Sequence, residues 1–489
     1  MKFDWGTYRH FPYERELALR EASALIGPTV KLSAEGTVTA DEGAIDAAKL
    51  LTYFSSIEVG NGRLPTIQAE LERSASSRTR RQATRYSVHG LHEYRGKFNP
   101  QVCRALINIL GIPQGGMLLD PYCGSGTTLV EAAHRGIRAV GTDLNPLAVF
   151  IANAKLKALN TPADTLEDAL EQLLARESSA SLDHADNSRH AYLSSWFEPS
   201  ILEQIERLRA VINEEPESSS FFLTVASNLL RDFSLQEPSD LRIRRRATAG
   251  ATVPFVDAFA SAAREAIQRL AAAQRVVGTD LAVGQALLRD NRRLGADELS
   301  EKVDGAITSP PYATALPYID TQRLSLIWLE LLPPNQIARV EGDLTGSREM
   351  STKSRNAAVA AVLENAAGLP EAEASFCRDL QSALTDLDGF RRQAVPCLLY
   401  RYFAQMAQTF KAVATTMKPR APFALIVGHN HTTLSGQRFD INTPRHLASL
   451  AAENGWSVAE ITPLQAYQRF GLHASNGVRE ETLLVLRAA

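Results

Sequence analysis

The stretch Asp120-Pro121-Tyr122-Cys123-Gly124-Ser125-Gly126-Thr127-Thr128 constrains this chain more than any other. It follows an apolar run, Met117-Leu118-Leu119, and precedes Leu129-Val130-Glu131-Ala132-Ala133, which reads as a helix. Strand, glycine turn, helix is the unit that seats a nucleotide-like group at a helix N-terminus. Gly124 and Gly126 allow positive φ and close approach of a ligand to the backbone. A second strand, Ala139-Val140-Gly141-Thr142-Asp143, ends in an acid. It lies about twenty residues after the turn, the spacing at which a carboxylate meets ribose hydroxyls in dinucleotide folds. A carboxylate accepts both hydrogen bonds of a diol, so the residue type suits that task.

Far downstream, Val303-Asp304-Gly305-Ala306-Ile307 leads as a buried strand into Thr308-Ser309-Pro310-Pro311-Tyr312. Two consecutive prolines stiffen this loop and remove two backbone donors. The carbonyls of Ser309 and Pro310 are left as acceptors at the carboxyl end of a strand, where open α/β sheets bind ligands. Tyr312 offers a flat face to a base.

Together these two stretches resemble the amino-methyltransferases of DNA, which use S-adenosylmethionine. The resemblance covers roughly residues 86–160 and 280–487. It implies an α/β fold, a Rossmann-like seven-strand methyltransferase sheet with helical insertions. A small N-terminal α/β domain is expected beside it. Gly96-Lys97-Phe98-Asn99-Pro100-Gln101 resembles the motif that precedes the cofactor loop in the family and packs beside the methionine end. The cofactor residues implied are Lys97, Phe98, Asp120, Tyr122, Gly124, Ser125, Gly126, Thr127, Thr128, Asp143, Asn145 and Asp290. Asp143 would hold the ribose, and Asp290, at a later strand end, would approach the adenine. The catalytic residues implied are Ser309, Pro310, Pro311 and Tyr312.

The family's substrate is an exocyclic amine, conjugated with its ring and poorly nucleophilic. Acceptors at Ser309 Oγ and the Pro310 carbonyl favour the pyramidal nitrogen that attacks the methyl in line. The base must leave the duplex and stack on an aromatic such as Tyr312. Serine as the first loop residue leans toward cytosine N4, whereas aspartate or asparagine leans toward adenine N6. Many serine-loop members place the catalytic loop first, and this chain does not. A tRNA guanine-N2 methyltransferase is the RNA alternative, and a non-catalytic DNA-binding protein is the alternative outside enzymes. Carbon-5 cytosine methylation needs a cysteine after a proline. Pro396-Cys397 is the one such dipeptide, and its helical context makes it a decoy.

The chain has 489 residues, enough for two or three domains. The reading divides it into an N-terminal α/β module (1–75), a basic linker with the Gly-Lys-Phe-Asn-Pro-Gln motif (76–100) and a cofactor-binding half (101–160). A helical insertion (161–275) and a catalytic half (276–489), itself interrupted near 333–395, complete it. In the module, a helix over 13–26, strands over 30–33 and 37–39, and helices over 44–51 and 64–71 are expected, with no chemistry. Net charge is −3, so any nucleic-acid surface is a local patch. Two arginine clusters fit phosphate contact, Arg80, Arg81 and Arg85 in the linker and Arg242, Arg244, Arg245 and Arg246 in the insertion. Tyr86, His89, His92 and Tyr94 interleave the first cluster and tilt it toward DNA. The insertion is the expected target-recognition region. DNA is the expected partner, with room for a restriction or defence partner protein. The four cysteines form no CxxC pair, which predicts a reducing compartment and no metal. The N-terminus lacks a signal-peptide core and no long apolar span is visible, so a cytoplasmic, membrane-free protein is expected.

Overall fold

The computed structural model describes all residues except 35, 76–81, 95, 178–186, 241–242, 314–318, 351 and 466–479. The first strands, β1 (Lys2–Trp5), β2 (Lys31–Leu32), β3 (Val38–Thr39), β4 (Phe54–Val59) and β5 (Gly62–Pro65), form an antiparallel sheet in the order β2-β3-β1-β4-β5. Helix α1 (Pro12–Ile26) lays Leu17, Ala18 and Ala22 on it. The helix expected from Leu64 starts only at Ile67. Pro65 holds Leu64 extended, and the Thr66 side chain caps the helix by accepting from Ala69 N at 3.1 Å.

The central sheet is built from β6 (Met117–Asp120), β7 (Arg138–Asp143), β8 (Gln285–Leu288), β9 (Gly305–Thr308), β10 (Pro422–Gly428), β13 (Trp456–Gln465) and β14 (Glu480–Ala488). Its order is β13-β14-β10-β9-β6-β7-β8, seven strands as expected. Strands β6 to β10 in this sheet are parallel, and β14 is antiparallel to both β10 and β13. A hairpin, β11 (Asn430–Leu434) and β12 (Gln437–Ile441), follows β10. The chain moves outward from β6 through β7 and β8, then restarts on the other side with β9. That reversal is where such sheets open a ligand crevice.

Alternation along β6 assigns two faces. Leu118 joins one core, while Met117 and Leu119 join the other. Helices α2 (Pro100–Ile109), α3 (Thr127–His134) and α4 (Pro146–Leu159) cover the first face, with Leu106, Leu129 and Ile151 fully buried. Helix α5 (Val395–Thr416) covers the second with Phe403 and Phe410. The core of the first face runs without a break into the N-terminal sheet (Phe3, Ile57) and into the inserted helices (Leu208, Phe222, Phe259). The insertion is helical as expected, with helices at Ala163–Glu177, Ser188–Ser194, Pro199–Asn213, Pro216–Phe233 and Phe255–Val277. Among the described residues no helix is long and apolar enough to cross a membrane.

The linker departs from its reading as an exposed arm. Tyr86, His89 and His92 are buried rather than displayed to DNA. Glu131 of α3 holds Tyr86 and His89 in the core. Its carboxylate accepts from Tyr86 OH at 2.8 Å, contacts His89 Nε2 at 2.6 Å and pairs with Arg104 of α2 at 3.1 Å. His134 also faces it. Burial keeps the His89 imidazole neutral, down at about 3. His89, Glu131 and His134 are close enough to share a cation. The Arg104 guanidinium already supplies the positive charge there.

Candidate active site

The carboxyl ends of the parallel strands lie along one sheet edge, at Asp120, Asp143, Leu288, Thr308 and Gly428. Because β14 runs the other way, its start meets the same edge, with Glu481 opposite Gly428. β13 ends there too, with Leu464 opposite Glu481.

Asp120 is buried behind the glycine turn. Its Oδ1 accepts from Thr308 Oγ1 at 2.7 Å and from Tyr122 N at 3.1 Å, tying the turn to the strand that bears the Pro-Pro loop. Burial pushes its carboxyl up to about 6 against the pull of those hydrogen bonds. Gly124 and Gly126 have φ of 48° and 80°. A Cβ on Gly126 would lie 2.8 Å from Ala152 Cβ, so only glycine lets α3 start this close to α4. A Cβ on Gly124 would press on the Tyr94 ring at 3.2 Å.

Asp143 ends β7 with its carboxylate at the cavity. Oδ2 accepts from Gly124 N at 3.0 Å and Oδ1 from Asn145 N at 2.8 Å. Burial raises this carboxyl to about 6 as well, with the backbone N–H groups opposing. A carboxylate has about four lone-pair sites, so two remain for a diol.

One cavity of about 360 Å³ joins these parts to the Pro-Pro loop. Of the residues read from the sequence, Lys97, Phe98, Tyr122, Gly124, Asp143, Asn145, Ser309, Pro310, Pro311 and Tyr312 line it. Asp120, Ser125, Gly126, Thr127 and Thr128 do not reach its wall. They are buried and shape the turn from behind. Lys97 contributes its stem, while its ammonium donates to the carbonyls of Thr84 and His89, each at 3.0 Å. Asp290 is not among the lining residues. Its carboxylate caps a short helical turn and grips the Arg292 guanidinium at 2.7 Å, away from the wall. Its neighbour Asn291 lines the cavity instead, donating to the Pro121 carbonyl.

The Pro-Pro loop is held from several sides. Ser309 Oγ donates to the Ile426 carbonyl at 3.4 Å, which leaves its lone pairs free as acceptors. The Tyr312 ring lies against Gly428, where a Cβ would come within 2.8 Å of Cε2. Asn430 Nδ2 donates to the Ala313 carbonyl at 2.8 Å and fixes the loop's exit. Cys397 is buried in the first turn of α5 and takes no part in the cavity wall, in keeping with its reading as a decoy.

Among the wall residues not read from the sequence as site residues are Tyr13, Tyr94, Asn291 and Glu481. Two of them had a signal: Asn291 lies one position from the acid singled out, and Tyr94 is one of the aromatics that interleave the first arginine cluster.

The arginine clusters divide. Arg85 is exposed and paired with Glu93. Arg244 and Arg245 are exposed, with the Arg245 guanidinium 5.6 Å from the Trp196 ring centre. Arg246 instead folds back, its Nη2 donating to the carbonyls of Asp232 and Ser234 at 2.6 and 2.8 Å. Arg80, Arg81 and Arg242 lie outside the described residues.

Residues 91–182 match the family model described as UPF0020, RMKL-like, methyltransferase domain. The chain is 24% identical over 266 residues to the Type II methyltransferase M.MvaI of Kocuria varians, 51% of this chain and 59% of that one. It is 41% identical over 70 residues to the Type II methyltransferase M.MjaII of Methanocaldococcus jannaschii, 14% and 13% of the two chains. It is 40% identical over 52 residues to a tRNA (guanine(10)-N2)-dimethyltransferase of Methanothermobacter thermautotrophicus, 11% and 16% of the two. The chain thus spans about three fifths of the first relative and smaller parts of the others. The resemblance to S-adenosylmethionine-dependent methyltransferases holds over the matched stretches, and the glycine cradle with Asp143 beside it suits that cofactor.

Proposed function

We propose that this chain moves a methyl group from S-adenosylmethionine to the exocyclic amine of a base flipped out of DNA, with cytosine N4 as the acceptor. The observation that carries this reading is the shared cavity, with Asp143 and Gly124 on one wall and Ser309 to Tyr312 on another. When bound, S-adenosylmethionine supplies an electrophilic methyl on a sulfonium. The protein's task is placement. Asp143 takes the ribose diol, and the aromatic wall of Tyr94 and Phe98 shields the cofactor from water. The Ser309 hydroxyl, its proton directed at the Ile426 carbonyl, accepts one N–H of the target amine, and the Pro310 carbonyl accepts the other. Two acceptors draw the nitrogen lone pair out of conjugation and aim it along the line of transfer. Tyr312 stacks on the base.

The inserted helices over 161–275 are read as the target-recognition region. Asn228 Oδ1, on the helix Pro216–Phe233, accepts from Glu93 N at 2.8 Å, so this region abuts the segment that carries Tyr94 to the cavity. Exposed Arg85, Arg244 and Arg245 are the phosphate contacts of this reading.

One observation favours a second reading, a guanine-N2 transfer on tRNA. Glu481 places a carboxylate on the cavity wall, and guanine presents two adjacent donors, N1–H and N2–H, on its pairing edge. The test is expression in a host free of DNA methylation, followed by single-molecule sequencing and nucleoside analysis of tRNA. Methylated cytosine in a fixed sequence context supports the first reading. Unmodified DNA with N2-methylguanine in tRNA supports the second.

A further inference from the structure

The N-terminal module touches the cavity through one residue, Tyr13, in the first turn of α1. Its position is fixed from both sides of the site. On one side a chain of hydrogen bonds leads from α1 to the motif before α2. Tyr8 OH donates to Glu14 Oε1 at 3.4 Å and accepts from Gln82 Nε2 at 3.0 Å, and Gln82 Oε1 accepts from Asn99 Nδ2 at 2.9 Å. Asn99 itself lines the cavity and caps α2, accepting from Val102 N at 3.1 Å. Deeper in the same interface, Glu21 of α1 is fully buried and accepts from Asn108 Nδ2 of α2 at 2.7 Å. On the other side Arg20 reaches β13 with two parallel hydrogen bonds to the Glu460 carboxylate, at 2.6 and 2.7 Å. β13 also carries Leu464, another lining residue.

Helix α1 is therefore tied to two segments that line the cavity, the one with Asn99 and the strand with Leu464. We infer that the N-terminal module is part of the S-adenosylmethionine site, with the Tyr13 ring as a cofactor-contacting wall and Arg20–Glu460 and Glu21–Asn108 as the struts that hold it. This rests on the methyltransferase reading. A ring that covers part of a bound ligand removes apolar area from water on both partners, which is worth about tenfold in affinity.

Calorimetric titration of S-adenosylhomocysteine into the full chain tests it. Tyr13→Ala is expected to weaken binding about tenfold with an unchanged melting curve, and Tyr13→Phe, which keeps the ring, to bind like the unaltered protein. Arg20→Ala, which removes a strut without touching the cavity, is expected to weaken binding by a smaller factor. Unchanged affinity in Tyr13→Ala overturns the inference, as does an equal loss in Tyr13→Phe. An unaltered protein that binds no cofactor overturns the methyltransferase reading itself, which separates the two failures.

Discussion

Tyr312 donates its hydroxyl to Glu481 Oε1 at 2.7 Å, joining the Pro-Pro loop to the first turn of pairing between β14 and β10. Register explains the meeting. Glu481 pairs with Gly428, and Gly428 is the residue whose missing Cβ admits the Tyr312 ring. Three segments distant in sequence thus set the orientation of one aromatic face.

If Tyr312 stacks on the target base, loosening its tether costs placement more than cofactor binding. Glu481→Ala is expected to lower kcat about tenfold, while Glu481→Gln, whose amide oxygen still accepts the hydroxyl, retains most of it. Single-turnover methyl transfer with parallel cofactor titration measures both. An equal loss in the two variants would mean that the charge matters and the tether does not.

Gly428→Ala acts on the same ring from beneath. Its Cβ would stand 2.8 Å from Tyr312 Cε2, so the ring must move. Transfer is expected to fall by about tenfold or more with cofactor affinity unchanged, because Asp143 and Gly124 lie on the other wall. Ser309→Ala and Tyr312→Ala are expected to show the same split. Loss of cofactor binding in all three would contradict the division of roles.

Cofactor affinity is expected to depend on pH through Asp143. Its carboxyl sits at about 6 because burial disfavours the charge. The ionised form is the one that accepts both hydrogens of the diol. Affinity is therefore full well above pH 6 and falls as pH drops through 6, approaching about tenfold per unit. The effect on folding has the opposite sign. Asp120 and Asp143 both hold their protons more tightly folded, at about 6 against 3.8 unfolded. Their contribution to stability is present below the unfolded value and is lost as pH rises through 6. Calorimetry from about pH 5 to 8 and denaturant melts from about pH 3 to 8 check the two signs. Cofactor affinity that is flat across this range would remove Asp143 from the ribose contact.

The Glu131 cluster should behave as structure. Arg104 and Glu131 are both fully buried. Glu131→Gln leaves the guanidinium without its counter-charge, and breaking such a pair costs about 3–5 kcal/mol. Urea denaturation reads this directly. A loss below about 1 kcal/mol would show that the charge is compensated elsewhere.

Sequence exposed the parts of this site that are local. Asp120 to Thr128, Asp143 and Ser309 to Tyr312 each sit at a strand end within a few residues of the glycine or proline that shapes the turn, so their spacing announces them. Glu481 has no such punctuation, and the Pro12 before Tyr13 announces only a helix start. Tyr13 and Glu481 reach the cavity because α1 and β14 pack at the sheet edge, and only the tertiary arrangement brings them there. His89 and His92 show the converse. Beside Arg85 they read as an exposed basic arm, yet Glu131, on a helix about forty residues later, draws His89 inward, and burial lowers both imidazoles. Asp290 lies one residue off the cavity lining for a similar reason. The acid was taken by Arg292, and the adjacent amide turned to the cavity.

The central claim is that the two loops sharing this cavity move a methyl group to an amine in DNA. The most direct measurement is single-molecule sequencing of genomic DNA from a methylation-free host expressing this chain, beside a host expressing Ser309→Ala. The account predicts N4-methylcytosine at a fixed sequence motif with the unaltered chain and none with the variant. Unmodified DNA from a chain that binds S-adenosylmethionine would contradict it.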